Sequence, residues 1–255
     1  MRTPYFRFKQ FTIYHDRCAM KVGTDGVLLG AWAEKSPTAD ASLRILDIGT
    51  GSGLITLMLA QRFPLAQIDA IDIDEAAVTQ ATDNFCSSPW TERLHAYHSP
   101  LQEWRMVNGK CPNGKWYDLI VSNPPYFQNS LKNPDKGREL ARHTDTLSYS
   151  ELLHHSARLL CEEGRLCLIL PAEAENEVCT LAAQAGFVLA RATRVYSKVS
   201  KPARRVLLAF DKSKSQYTGI SASRPPLPIE DTLVLENEKG GRSAAYQELA
   251  KDFYL

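Results

Sequence analysis

Residues 46–53, Leu46-Asp47-Ile48-Gly49-Thr50-Gly51-Ser52-Gly53, constrain the fold more than any other stretch. They join a β-rich run, Ser42 to Ile48, to a helical pattern from Leu54 to Phe63, with Leu54, Leu57, Met58 and Gln61 at helical spacing. A strand that turns through glycines into a helix opens a parallel α/β unit, because the next strand returns beside the first. The alternation continues. Gln67 to Ile73 reads as a second strand, and Asp74 caps a helix with Val78, Ala81 and Phe85 on its apolar face. Leu94 to His98 and Tyr117 to Ser122 read as a third and a fourth strand. Ser148 and Glu151 form a capping box that opens a helix ending near Gly164. Arg165 to Leu170 is almost continuously apolar, as a strand buried on both faces must be. Glu173 to Ala185 is a helix stopped by Gly186.

The alternation then breaks. Val188 to Tyr196 and Arg204 to Phe210 are two strands with no room for a helix between them, so they pair as an antiparallel hairpin. Ser213 to Pro228 reads as a loop, Thr232 to Leu235 as a short strand and Ser243 to Tyr254 as a helix. The alternation of Phe6, Phe8 and Phe11 predicts an edge strand that packs its apolar side. The expected organisation is a segment 1–40, a ligand-binding domain 41–212, and an appendage 213–255 packed on that domain.

At 255 residues with 44% hydrophobic and 23% charged side chains, the chain has material for a sizeable core and is not disordered. A formal charge of +1 excludes a uniformly basic coat for nucleic acid but not a local basic patch. The N-terminus lacks the apolar stretch of a signal peptide, and no run approaches the roughly 20 residues that span a bilayer. The six cysteines contain no C-x-x-C pair and read as free buried thiols of a reducing compartment. A cytoplasmic protein without membrane association, without a metal site and monomeric is the expectation.

The glycine turn brings a ligand close to the backbone, or else is a tight turn with no ligand. Dinucleotide binding requires G-x-G-x-x-G, whereas here Gly49, Gly51 and Gly53 alternate and Leu54 stands where the third glycine would fall. Asp47, just before them, would repel a pyrophosphate and suit an ammonium group. Asp72, at the tip of the second strand, is placed to accept from two ribose hydroxyls, or is a solvated strand end. Together these favour a nucleoside with an amino-acid tail and no phosphates, a description that S-adenosylmethionine fits.

Ser122-Asn123-Pro124-Pro125-Tyr126 follows the fourth strand, at the end of the sheet where ligands gather. The two prolines impose an extended course that can aim the Asn123 side-chain carbonyl and the Pro124 backbone carbonyl into one small space. Two adjacent acceptors suit one NH2 group, and Tyr126 can stack on a planar base or amide. An exocyclic amine is a poor nucleophile, and acceptors on both N–H bonds stabilise the charge that grows on it during attack.

With these residues in place, the chain resembles the class I S-adenosylmethionine-dependent N-P-P-Y amino-methyltransferases. Phe8 to Phe11, His15 to Trp32, Ser87 to Trp90, Arg138-Glu139-x-Ala141-Arg142, Arg205 to Phe210 and Tyr246 to Leu255 are similar, more narrowly, to the tRNA1(Val) (adenine(37)-N6)-methyltransferase family. That resemblance implies a Rossmann-like α/β fold, a mostly parallel seven-stranded sheet with a C-terminal antiparallel hairpin. It implies S-adenosylmethionine as cofactor and methylation of N6 of adenosine 37 beside the anticodon of a valine tRNA. Lys21, Thr24, Asp25, Asp47, Gly49, Gly51, Gly53, Asp72 and Asn123 would bind the cofactor. Asn123, Pro124 and Tyr126 would be catalytic, and Pro125, Arg138 and Arg142 would bind the substrate. The chain departs from the pattern at Pro100, which stands where an acidic residue is expected near the cofactor adenine.

Three basic groups are candidates for phosphate contacts: Arg138, Arg142 and His143; Lys198, Lys201, Arg204 and Arg205; and Lys9, Arg17 and Lys21. Each reads equally as a solvated surface. The rival functions are N-methylation of a release-factor glutamine or of guanine N2 in ribosomal RNA, and a non-catalytic RNA-binding protein that kept the fold.

Overall fold

The computed structural model describes residues 4–18, 21–35, 42–104, 117–125, 147–212 and 227–254. In chain order the strands are β1 (Tyr5–Arg7), β2 (Thr12–Tyr14), β3 (Arg44–Ile48), β4 (Gln67–Asp72), β5 (Leu94–His98), β6 (Tyr117–Ser122), β7 (Leu160–Pro171), β8 (Phe187–Tyr196), β9 (Ala203–Lys212) and β10 (Ile229–Val234). The helices are α1 (Thr24–Trp32), α2 (Leu54–Arg62), α3 (Glu75–Cys86), α4 (Tyr149–Leu159), α5 (Glu175–Gln184) and α6 (Ala244–Ala250).

Eight strands form one sheet in the order β10-β8-β9-β7-β6-β3-β4-β5. Pairing is parallel from β5 to β7, and β9 runs antiparallel between β7 and β8. The seven expected strands are present, and the short C-terminal strand adds an eighth, parallel to β8 at the edge. Side-chain alternation divides the core in two. Ile45, Leu119, Val121 and Ile169 face one layer with α1, α2 and α6. Leu46, Ile120, Leu166 and Leu168 face the other with α4 and α5.

Three local expectations are corrected. The capping box of Ser148 and Glu151 opens α4, but the helix ends at Leu159 and Gly164 lies inside β7. A Cβ on Gly164 would stand 2.9 Å from the Tyr117 carbonyl, so the glycine allows β6 and β7 to approach where their register shifts. Phe6, Phe8 and Phe11 do not alternate along one edge strand. β1 and β2 form a separate two-stranded hairpin whose turn buries Phe8 and Phe11, with Phe8 stacked on Phe11 and Tyr254. The thiols are not uniformly buried: Cys18 and Cys167 are, whereas Cys86 is exposed at the end of α3.

α1 lies against α2 at two glycines one turn apart. A Cβ on Gly30 would come within 2.7 Å of the Met58 sulfur, and one on Gly26 within 3.1 Å of Leu54. This close packing brings the α1 N-terminus to the C-terminal edge of the parallel strands. Among the described residues no helix is long and apolar enough to cross a membrane.

Candidate active site

A cavity of about 1020 Å³ opens at the C-terminal ends of β3, β4, β5 and β6. Among the described residues its wall combines Lys21 to Gly26 from the α1 N-terminus, Ile48 to Ser52 from the glycine turn, and Ile71 to Asp74 from the tip of β4. His98 to Gln102, Ser122 to Pro125, Leu147 and Glu151 also line it, with Cys18, Leu54, Ile55 and Ala77.

The turn after β3 places Gly49, Gly51 and Gly53 at φ of 72°, 55° and 83°, the left-handed region that glycine enters without strain. Nothing lies within 4 Å of a Cβ built on Gly49 or Gly51, so the backbone there is bare toward the cavity. Gly53 serves a different purpose. Its Cβ would meet Phe85 of α3 at 2.5 Å, and it does not line the cavity, so it is a packing glycine that also caps α2.

The N–H groups of Gly49, Thr50 and Gly51 are not offered to a ligand. Gly49 and Thr50 donate to the Ile71 carbonyl at 2.9 and 3.1 Å, and Gly51 donates to the Asp72 carboxylate at 2.8 Å. A phosphate nest needs those donors pointing outward. The geometry therefore fits a ligand without phosphates, held by backbone approach and by Asp72. Each Asp72 oxygen accepts one N–H, from Gly51 and from Asp74, leaving lone pairs on both oxygens for hydroxyl groups. Asp74 caps α3 through the Ala76 N–H, as expected. Ile73 between them is 56% exposed, an apolar side chain standing on the cavity wall where a planar base could lie.

Asp47 is fully buried and is not on the wall. One of its oxygens accepts from the Thr50 and Thr56 hydroxyls, both at 2.8 Å, while Oδ1 has no partner among the described residues. Burial pushes its pKa up to about 6, against the lowering effect of the two threonines. Asp47 thus braces the turn from behind.

The α1 side of the wall is also braced internally. The Lys21 ammonium donates to the His15 carbonyl at 2.7 Å and the Cys18 carbonyl at 3.2 Å. Thr24 begins α1, and Asp25 in its first turn accepts from Arg205 of β9 at 2.8 Å. The Asp25–Arg205 pair, 180 residues apart, has no local sequence signal.

On the opposite side, Asn123, Pro124 and Pro125 follow β6, with Ser122 tied to the Ile48 carbonyl at 2.8 Å. In the segment after β5 the wall carries Pro100 and no acid. The acid at this corner is Glu151 of α4, which accepts from Gln102 at 3.3 Å and from Ser148. Its capping box was readable in the sequence; its position on the cavity was not. Tyr126, Arg138 and Arg142 lie outside the described residues. Of the expected site residues that are described, the fold gathers Lys21, Thr24, Asp25, Gly49, Gly51, Asp72, Asn123, Pro124 and Pro125 on one cavity and leaves Asp47 and Gly53 behind it.

Comparison with known proteins agrees with this architecture. The family model "Methyltransferase small domain" matches residues 27–186. A tRNA1(Val) (adenine(37)-N6)-methyltransferase of Parabacteroides distasonis is 46% identical over 255 residues, covering 100% of this chain and 99% of the relative. One from Erwinia tasmaniensis is 43% identical, covering 100% and 96%. A crystal structure described as a predicted O-methyltransferase, Atu636, from Agrobacterium tumefaciens shares the fold, with a TM-score of 0.63, 16% identity and coverage of 90% of this chain and 96% of that one. The cofactor of such proteins is S-adenosylmethionine, and the bare glycine backbone, the Asp72 lone pairs and the absence of a phosphate nest fit it. The chain belongs to the tRNA1(Val) (adenine(37)-N6)-methyltransferase family, built on the methyltransferase small domain.

Proposed function

We propose that the protein methylates N6 of adenosine 37 in the anticodon loop of a valine tRNA. The observation that carries this reading is the meeting of Asn123-Pro124-Pro125 with the glycine turn and Asp72 on one cavity, in a chain whose full-length relatives bear that name. Bound S-adenosylmethionine supplies the methyl group as an electrophile. Asp72 orients the ribose, Gly49 and Gly51 admit the amino-acid tail, and Ile73 packs on the cofactor base.

Asn123 Oδ1 and the Pro124 carbonyl accept the two N–H bonds of the adenine N6. That arrangement favours the pyramidal nitrogen of the transition state and stabilises the positive charge developing on it. Neither amide carbonyl is basic enough to keep the proton that N6 must lose on methylation, so Asn123 and Pro124 hold the N–H bonds while that proton goes to solvent. Tyr126 stacks on the base. Adenosine 37 must be extruded from the stacked loop to reach this pocket. Residues 1–40 act as a cover over the cofactor side, 41–212 as the catalytic domain and 213–255 as an appendage packed on it. The enzyme works as a cytoplasmic monomer.

The test is a methylation assay with labelled S-adenosylmethionine. The acceptors are tRNA from cells lacking the protein, ribosomal RNA and a release factor, followed by nucleoside analysis. Label as N6-methyladenosine in a valine tRNA alone is expected. Label as N2-methylguanosine, label on a glutamine, or no label on any acceptor overturns the reading.

A further inference from the structure

The three basic groups read from the sequence meet different fates in the fold. Arg138, Arg142 and His143 lie outside the described residues. All three of the N-terminal group have partners within the chain: Lys9 donates to the Lys251 carbonyl at 2.6 Å, Arg17 pairs with Asp83 at 2.8 Å in a solvated contact, and Lys21 binds loop carbonyls. Of the group at the β8–β9 turn and the start of β9, Lys198 and Arg205 pair with acids and the other two cations, among the described residues, do not. Lys201 and Arg204 are exposed and have no acidic partner among the described residues. Lys198 pairs with Glu236 at 3.4 Å in a solvated contact.

Topology places this turn beside the cavity. β7 is parallel to β6, β9 antiparallel to β7, and β8 antiparallel to β9, so β8 points the same way as β6. Its C-terminal end therefore emerges at the same edge of the sheet as Asn123. The turn is closed by the Lys201 N–H on the Lys198 carbonyl at 3.1 Å and carries Val199, 81% exposed, at its tip. Arg205, the next residue after Arg204, reaches Asp25 on the cavity wall. The cations are thus joined to the rim of the pocket through one ion pair.

We infer that the β8–β9 turn, through Lys201 and Arg204 with Lys198 beside them, grips the phosphate backbone of the tRNA arm whose base enters the cavity. A polyanion beside the pocket matches these cations, and the neighbouring acids Asp25 and Glu236 are already neutralised by Arg205 and Lys198. Phosphate contacts position a nucleic acid without reading its sequence. This rests on the proposed function, because it takes tRNA as the substrate.

The experiment compares wild type with the double variants Lys201→Glu/Arg204→Glu and Lys201→Gln/Arg204→Gln on unmodified tRNA at several salt concentrations. Thermal melting and S-adenosylmethionine titration serve as controls on folding. For the charge reversal, KM for tRNA is expected to rise on the order of tenfold, with a smaller rise for the neutral pair. The dependence of log affinity on log salt should become shallower by about 1 to 2, one phosphate contributing about 0.9. Cofactor affinity and kcat at saturating tRNA should hold. If wild type methylates tRNA and both variants keep its KM and salt slope, the surface is refuted and the function stands. If wild type methylates no tRNA, the function and the surface fall together.

Discussion

The side chain of Asn84 takes both backbone polar groups of Tyr14, accepting its N–H at 3.0 Å and donating to its carbonyl at 2.8 Å. The same amide nitrogen donates to the Ser52 carbonyl at 2.8 Å. One buried amide on α3 thus fastens the N-terminal hairpin and the glycine turn together, 1% exposed. Asn84→Ala leaves an N–H and two carbonyls without this partner, and each orphaned buried group costs about 1–3 kcal/mol. The variant should melt several degrees lower and bind S-adenosylmethionine more weakly. Calorimetric melting and cofactor titration check this; an unchanged melting temperature would show that water replaces the amide.

The glycines of the turn separate a ligand cradle from a packing contact. Gly53→Ala must accommodate φ of 83° and a contact of 2.5 Å with Phe85, so it should destabilise the fold by about 2–3 kcal/mol. Gly49→Ala shares the φ penalty, at 72°, but its Cβ faces open space. It should cost about 1 kcal/mol of stability while weakening cofactor binding more than its loss of stability accounts for. Denaturant unfolding with cofactor titration on both variants reads the difference. Equal losses of stability would remove the distinction.

Asp47 gives stability a pH dependence. Its folded pKa of about 6 lies above the unfolded value of 3.8, so between those pH values the folded state holds the proton that the unfolded state has lost. The sign follows: this group's contribution is most favourable below about pH 4 and is lost as pH rises through about 6. The difference of roughly two pKa units corresponds to about 3 kcal/mol as an upper figure. Asp47→Asn keeps an acceptor for Thr50 and Thr56 and removes the buried charge. It should flatten the stability profile between pH 4 and 6 and raise the melting temperature at pH 8. A variant whose profile parallels the wild type would sink the assignment to Asp47.

Asn123 is expected to act on turnover rather than on tRNA affinity. Asn123→Ala removes one of two acceptors for the target amine and should lower kcat by about 10²–10³. Affinity for tRNA should be largely retained. Single-turnover rates at saturating tRNA test it, and an unchanged rate would reassign the role to Pro124 and Tyr126.

How far the fold could be read from the sequence follows from which interactions are local. β3, the glycine turn, α2, β4 and the Asp74 cap follow from residues within a few positions of one another, and each appears where periodicity and capping chemistry put it. The α3 face did not follow in full. Val78, Ala81 and Phe85 predicted its apolar stripe, but Val78 is half-buried, whereas Gln80 and Asn84 are buried because they bond the chain around Tyr14 and Arg17. Gly164 read as a helix stop because glycine ends helices; only β6 beside it shows that it is needed for a close approach.

The same division runs through the site. By itself the sequence determined the parallel α/β plan, the glycine turn, the strand-tip Asp72 and the Asn123-Pro124-Pro125 corner, because strand-turn-helix units carry their chemistry at their own ends. Only the tertiary structure decided that Asp47 and Gly53 stand behind the wall, that Glu151 joins the corner where Pro100 lacks a carboxylate, and that Arg205 holds Asp25 from 180 residues away. Those relations depend on which layers are pressed together and which strands lie side by side. Packing between elements distant in sequence sets them, and no spacing along the chain encodes that distance.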